Sequence, residues 1–274
     1  MPFVQTPDLR LHYQRLGSGP QAIVFLHDSF ATGRWWQPTA AGLSAEIYTC
    51  YLLDLAGSGA SSSPADPASY NIERQAADLA AFVVSLDLWA FDLVGHSLGA
   101  AIALTYAVRQ PSRLRSLALV SAPSPHGTPT PPEGLELREQ MRSNRALLAQ
   151  ALASTMPSRP PDAFFQQLVE DAQRQAPAAF TANALALADW RLSEASLAQL
   201  RLPVLLVWGD RDHIVERNVQ RQLLLAIPGA NNLEVMRGAG HCPMLERSEG
   251  FLQVLLDFIG QDFGAFAVIR QAAQ

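Results

Sequence analysis

Charge is scarce in this chain. Only 16% of its 274 residues are Asp, Glu, Lys or Arg, and the formal balance is −5. No basic cluster rises from that background, which argues against a nucleic-acid partner and an anionic membrane surface. Cysteine is scarcer still: Cys50 and Cys242 stand far apart in unlike contexts. Their spacing suits no metal site, and two free thiols fit a reducing, cytoplasmic compartment. The opening residues Met1-Pro2-Phe3-Val4-Gln5-Thr6-Pro7 lack both the charged and the apolar part of a signal peptide, so none is expected. No apolar run reaches transmembrane length, and no repeat is found. What is abundant is hydrophobic residues, 49% of the chain. That is enough to bury a sizeable core, as one large α/β domain or a core with an insertion.

Short apolar runs recur with helical patterns between them. Phe3-Val4, Leu9–Tyr13, Ala22–Leu26, Tyr48–Leu53, Trp89–Val94 and Leu117–Val120 read as strands. A helix carrying Trp35, Trp36 and Leu43 follows the third run, and Ile72 to Leu86 has helical spacing. Strands alternating with helices imply right-handed crossovers and a mostly parallel sheet, with working groups at the C-terminal strand ends. After Ser121 the rhythm breaks. A proline-rich linker from Pro123 to Pro132 leads into expected helices near Leu135–Leu152, Ala163–Arg174 and Phe180–Trp190, with a short turn at Leu197–Leu200. The rhythm then resumes with a strand over Pro203–Trp208, a helix at Val219–Ala226, a strand at Leu233–Val235 and a helix over Glu246–Ile259. Residues 261–274 read equally as a helix or as a frayed end. The expected division is a core of 1–122 with 203–274, and a helical lid of 123–202.

Gly95-His96-Ser97-Leu98-Gly99 lies between the apolar run ending at Val94 and the alanine-rich Ala100–Leu104. Strand, tight turn, helix is the setting in which a Gly-x-Ser-x-Gly serine is held clear of the sheet edge. Ser97 is therefore the candidate nucleophile, and a nucleophilic serine needs a base oriented by a carboxylate. Two later strand ends supply them: Gly209-Asp210-Arg211-Asp212-His213-Ile214-Val215 and Gly238-Ala239-Gly240-His241-Cys242-Pro243. His241 is the candidate base. Asp210, Asp212 and Glu216 are rivals for the acid.

These motifs, with His27-Asp28-Ser29-Phe30 after the third strand and Glu246 beyond His241, resemble those of α/β-hydrolase-fold enzymes over residues 1–260. The similarity is to the serine esterase and lactonase-like subgroup with a helical cap between the sixth and seventh strands. It implies a mostly parallel eight-stranded sheet flanked by helices. It also implies a Ser97, Asp212, His241 triad, since Asp212 matches the family's Gly-x-x-Asp pattern. The alternative acid position after the sixth strand reads Ser121-Ala122-Pro123, without a carboxylate. The implied oxyanion donors are the backbone N–H groups of Leu98 and Ser29. Where relatives usually carry glycine this chain has Asp28, which tolerates positive φ better than most residues. A carboxylate beside an oxyanion hole is unfavourable unless it points away or is paired. Ala56 likewise stands where relatives often carry arginine, and is expected to affect packing only.

The other histidines receive structural readings. His12, on an early strand, is structural, His27 braces its loop through hydrogen bonds, His96 is the variable elbow residue, and His213 is loop surface. His126, Phe30 and Val215 are candidates to touch substrate; Phe164, Phe165, Phe180 and Met156 are cap residues, some facing the pocket. The expected activity is hydrolysis of small to medium, mainly apolar and uncharged esters or lactones through an acyl-enzyme, with no cofactor or metal. Three alternatives stand beside it. One is carbon–carbon cleavage of ring-fission products, for which the cap arginines Arg138, Arg142 and Arg145 leave room. The second is a cofactor-free haloperoxidase or perhydrolase, and the third a small-molecule receptor of the same fold.

Overall fold

The computed structural model describes residues 2–64 and 66–261; the undecided stretch from 262 onward lies outside them. Chain order is β1 (Phe3–Gln5), β2 (Arg10–Gly17), β3 (Gln21–Leu26), α1 (Gln37–Gly42), β4 (Tyr48–Leu53), α2 (Ile72–Ser85), β5 (Phe91–His96), α3 (Leu98–Arg109) and β6 (Leu114–Val120). Five helices follow before the next strand: α4 (Pro132–Ser143), α5 (Arg145–Thr155), α6 (Ala163–Gln173), α7 (Ala179–Asp189) and α8 (Glu194–Leu197). The chain then adds β7 (Val204–Gly209), α9 (Arg217–Ala226), β8 (Ala230–Met236), α10 (Pro243–Glu246) and α11 (Ser248–Ile259).

The eight strands form one sheet in the order β1-β2-β4-β3-β5-β6-β7-β8. β2 pairs antiparallel with both β1 and β4, and every other pairing is parallel. Both faces of the parallel part are covered. Along β3, Val24 and Leu26 join the apolar cluster on one face while Ile23 and Phe25 join the cluster on the other. That two-sided burial is why the central strands read as unbroken apolar runs and not as alternating ones. The helical insertion has no core of its own: Met141, Leu148, Met156 and Phe165 share one cluster with Trp35, Trp36 and Val207.

Several boundaries differ from the sequence expectation. The helix expected over 135–152 is two helices, because Asn144 leaves the helical conformation and its side chain accepts the Leu147 N–H at 3.0 Å. Asn is worth more as a cap than inside a helix. The last helix starts at Ser248, after a separate short turn begun by Pro243. The turn expected at 197–200 is present, with the Leu200 N–H donating to the Leu197 carbonyl at 3.0 Å, and a short helix over Glu194–Leu197, capped by Ser193, leads into it. Trp89 falls outside β5 and is 68% exposed, its ring covered by the Arg113 guanidinium at 4.4 Å.

The strand order reverses around β3 and β5, so the loop after β3 and the turn after β5 open side by side. A crevice at the C-terminal ends of such strands is where open α/β sheets bind ligands. β7 and β8 end on the same edge, which brings four sequence-distant loops together.

Candidate active site

The turn after β5 is as tight as its glycines require. A Cβ on Gly95 would sit 2.4 Å from the Gly99 carbonyl oxygen, and one on Gly99 would sit 2.5 Å from that of Leu26. Between them Ser97 holds φ 51° and ψ −111°, an uncommon conformation for a residue with a side chain. Its N–H is anchored to the Val120 carbonyl at 3.0 Å. Strain kept in place by surrounding packing is common at functional sites.

The carboxylate that meets His241 is that of Asp212: Nδ1 lies 2.9 Å from Oδ2. Its other oxygen accepts the N–H groups of Ile214 and Val215 at 2.8 and 3.0 Å. Burial opposes ionisation of Asp212, but the His241 contact and these two amides outweigh it and lower its pKa. Of the rivals, Asp210 is exposed and accepts the Gly238 N–H, and Glu216 is exposed at the start of α9. Val215, buried beside Asp212, is held through its backbone: its N–H donates to Asp212, and its carbonyl accepts the Trp208 indole N–H at 2.8 Å.

His241 is held by groups that the sequence did not single out for this role. Its N–H donates to the Thr155 carbonyl at the end of α5, and its own carbonyl accepts His96 Nε2–H, both at 2.8 Å. Glu246 brackets it, with Oε1 accepting the N–H of Gly240 at 2.7 Å and of Cys242 at 3.3 Å. Oε2 of Glu246 reaches into the insertion to accept the N–H and Oγ–H of Ser158. Burial lowers the His96 pKa to about 4, so its ring is neutral near pH 7 and donates through Nε2.

The loop after β3 departs most from expectation. Asp28 is paired, not turned away. Its Oδ1 accepts the Leu98 N–H at 3.1 Å, and its Oδ2 lies 3.5 Å from His241 Nε2. The carboxylate therefore sits on the amide expected to bind an oxyanion, while Ser97 Oγ makes no hydrogen bond to His241. Nor does Asp28 need positive φ; that strain falls on Phe30, at φ 57°. Gln175 steadies this turn by accepting the Phe30 N–H at 3.0 Å. His27 braces the loop, Nδ1–H donating to the Asp28 carbonyl and Nε2 accepting the Leu55 N–H. Ser29, the other expected donor, is buried within it.

His241 thus stands between two carboxylates. Burial alone would lower its pKa, but the contacts with Asp212 and Asp28 override that and raise it to about 10. Burial likewise resists ionisation of Asp28. The proximity of His241 and His96 and the Leu98 N–H prevail, holding the carboxyl well below the usual range. The resting site holds an imidazolium flanked by carboxylates. Asp28, His96 and His241 also place potential ligand atoms within 4.8 Å of one another. A cation there would consume the Nε2 lone pair that a serine mechanism requires.

The remaining sequence candidates divide. Phe30 lies against Phe180, ring centroids 5.3 Å apart, and under the Arg138 guanidinium at 5.0 Å. His126 is exposed in the turn after β6, its backbone N–H donating to Ser124 Oγ at 3.2 Å. His213 is exposed, and His12 is buried against Asp54 at 2.7 Å. Two charged groups stand beside the expected oxyanion loop: the Asp28 carboxylate next to His241 and the Arg138 guanidinium over Phe30.

A family model described as alpha/beta hydrolase fold matches residues 21–248. The chain belongs to that family. Among this hydrolase's relatives, a 2-hydroxy-6-oxononadienedioate/2-hydroxy-6-oxononatrienedioate hydrolase 2 from Pseudomonas putida is 27% identical over 92% of each chain. A hydrolase of the same kind from Paraburkholderia phymatum is 29% identical over 93% of this chain and 92% of the relative. Among solved structures, an esterase from Exiguobacterium antarcticum superposes with a TM-score of 0.85 at 22% identity, covering 94% of this chain and 99% of that one. The enol-lactonase from Burkholderia xenovorans LB400 gives 0.82 at 21%, covering 95% and 100%. At those identities the superpositions speak to the fold, which this hydrolase shares with them. Among its described residues no helix is long and apolar enough to cross a membrane.

Proposed function

We propose that this hydrolase cleaves carboxylic esters or lactones through an acyl-enzyme on Ser97. The observation that carries this reading is the Asp212–His241 contact of 2.9 Å, beside a serine strained at a strand-to-helix turn. In the proposed sequence the substrate carbonyl displaces the Asp28 carboxylate from the Leu98 N–H. His241 must first release its Nε2 proton to solvent water, which frees the lone pair that accepts the proton of Ser97 Oγ. Ser97 then attacks the acyl carbon, and the tetrahedral oxyanion takes the place Asp28 vacates, facing the Leu98 and Ser29 N–H groups. His241 returns the proton to the leaving alkoxide. It next takes a proton from a water, which attacks the acyl carbon, and returns that proton to Ser97 Oγ as the acyl–Oγ bond breaks and the acid is released. Asp212 steadies the imidazolium throughout. The helices of 123–202 act as a lid over this edge, and nothing in the sequence of steps calls on a cofactor or metal.

Carbon–carbon hydrolysis of ring-fission products is the second reading. The relatives named as 2-hydroxy-6-oxononadienedioate hydrolases favour it. A series of p-nitrophenyl esters from acetate to long acyl chains, run with wild type and Ser97→Ala, tests the first. Turnover with a chain-length optimum, lost in Ser97→Ala, is the expected result. Inert but folded wild type that cleaves a vinylogous 1,5-diketone would overturn the ester reading in favour of the second.

A further inference from the structure

The arginines of the insertion mostly have partners. Arg142 pairs with Glu139, Arg145 donates to Gln166, and Arg159 to Asp162 and the Leu245 carbonyl. Arg138, on the same helix α4 as Arg142, differs. Its guanidinium lies over the Phe30 ring at 5.0 Å, and no carboxylate of the described residues comes within 4.0 Å. Nη1 is buried and makes no hydrogen bond. Phe30 adjoins Ser29, so this cation sits on the insertion side of the expected oxyanion loop.

A guanidinium offers five N–H donors in a planar fork, and leaving a buried one unmet is costly. The aromatic face beneath Arg138 satisfies its charge in part but none of its N–H groups. Asp28 attracts it electrostatically without reaching it, because its oxygens are engaged with Leu98 and His241. Burial on the Phe30 ring also restrains the fork in one orientation, as preorganised recognition of a planar anion requires.

We propose that Arg138 forms the substrate's carboxylate subsite, so that the preferred ester or lactone carries a free carboxylate on its acyl side, a few atoms from the scissile carbonyl. The proposal rests on the ester reading for its kinetic consequence and not for its binding consequence. It replaces the uncharged acyl group that the sequence suggests with an anionic one. Asp28 bears on selectivity too: a carboxylate arriving anywhere but at Arg138 meets that negative charge.

The test compares monomethyl glutarate with methyl pentanoate, matched in acyl length, by proton release in a pH-stat, with monomethyl succinate and adipate to fix the spacing. Arg138→Met keeps the stem on Phe30 and removes the fork; Arg138→Lys keeps the charge alone. Wild type is expected to favour the half-ester, chiefly through KM. Arg138→Met should lose about 10- to 100-fold in kcat/KM on it, the scale of a charge-assisted hydrogen bond, with little change on methyl pentanoate. Arg138→Lys should fall between. Glutarate binding to Ser97→Ala, read by thermal shift with and without Arg138→Met, is independent of turnover. If neither ester is cleaved but glutarate stabilises the protein in an Arg138-dependent way, the subsite stands and the ester reading falls. If the two esters respond alike to Arg138→Met and glutarate binding is unchanged, the subsite is overturned. A shift of the acidic limb of the pH profile for both esters, without a charge preference, would overturn it as well, assigning Arg138 to Asp28 instead.

Discussion

Removing the Asp28 charge should change when this hydrolase works. His241 carries a proton until pH rises to about 10 in the resting site. A base catalyst must be neutral, so at pH 7 only ~0.1% of the free protein is competent by that value. The charge beside Nε2 belongs to Asp28, 3.5 Å away, while Asp212 serves Nδ1. Asp28→Asn removes one of the two attractions that hold the proton and leaves the other. An opposite charge at such range moves a pKa by about 1–3 units. The competent fraction at neutral pH should therefore rise about 10- to 500-fold, to no more than about half of the protein. The profile of kcat/KM reports the free enzyme, so its acidic limb should move down by the same 1–3 units. Histidine ¹⁵N resonances, followed from pH 5 to 10.5, give the same titration without turnover. Stability follows with a fixed sign. The raised His241 value makes the protonated form stabilising, fully so below about 6.5 and progressively less as pH climbs through about 10. Asp28→Asn should flatten that alkaline decline. If its limb and its His241 resonance coincide with those of wild type, the two-carboxylate account is wrong.

Three further substitutions probe how the site is held. Glu246→Ala leaves the N–H groups of Gly240 and Ser158 without their acceptor, and should cost about 1–3 kcal/mol in urea unfolding. It should also lower kcat by loosening His241. Gly99→Ala drives a Cβ to 2.5 Å from the Leu26 carbonyl oxygen, backbone that cannot rotate aside, and should destabilise by about 1–3 kcal/mol or more. Gly250→Ala is its counterpart: in α11 the added Cβ approaches only Met236 Cε, at 3.4 Å, and helix propensity should make it more stable by about 0.8–1 kcal/mol.

The places of the strands along the chain were legible because two-sided burial writes unbroken apolar runs, and Ile23–Leu26 and Val204–Val207 are such runs. Asp212 and His241 could be placed on one edge because each follows its strand within a few residues. The break at Asn144 escaped notice, since the apolar spacing of α4 continues into α5 across it and only the capping side chain ends the first helix. The state of Asp28 was legible only as a condition, that it must be paired or point away. Which one held depended on His241, more than 200 residues further along, and sequence spacing carries no record of that distance. Glu246 stood in the motif, but its role bracketing His241 requires knowing that the chain turns back at Pro243.

The contacts around His241 join stretches of chain far apart in sequence, and they bear on what the insertion is. Three of the contacts that fix His241 and its loop come from, or reach into, residues 155–158: the Thr155 carbonyl on the His241 N–H, and the two hydrogen bonds from Ser158 to Glu246. Gly240 has no room for a side chain because Pro157 and the Thr155 carbonyl press on it, at 2.5 and 2.8 Å from where a Cβ would stand. The insertion also shares its apolar cluster with the sheet. A covering that merely opened and closed would need few such ties. Here the end of α5 is part of the frame that sets the imidazole, so displacement of α5 must disturb proton transfer as well as access. Substitutions that loosen α5 should accordingly lower kcat even for a substrate too small to meet the insertion.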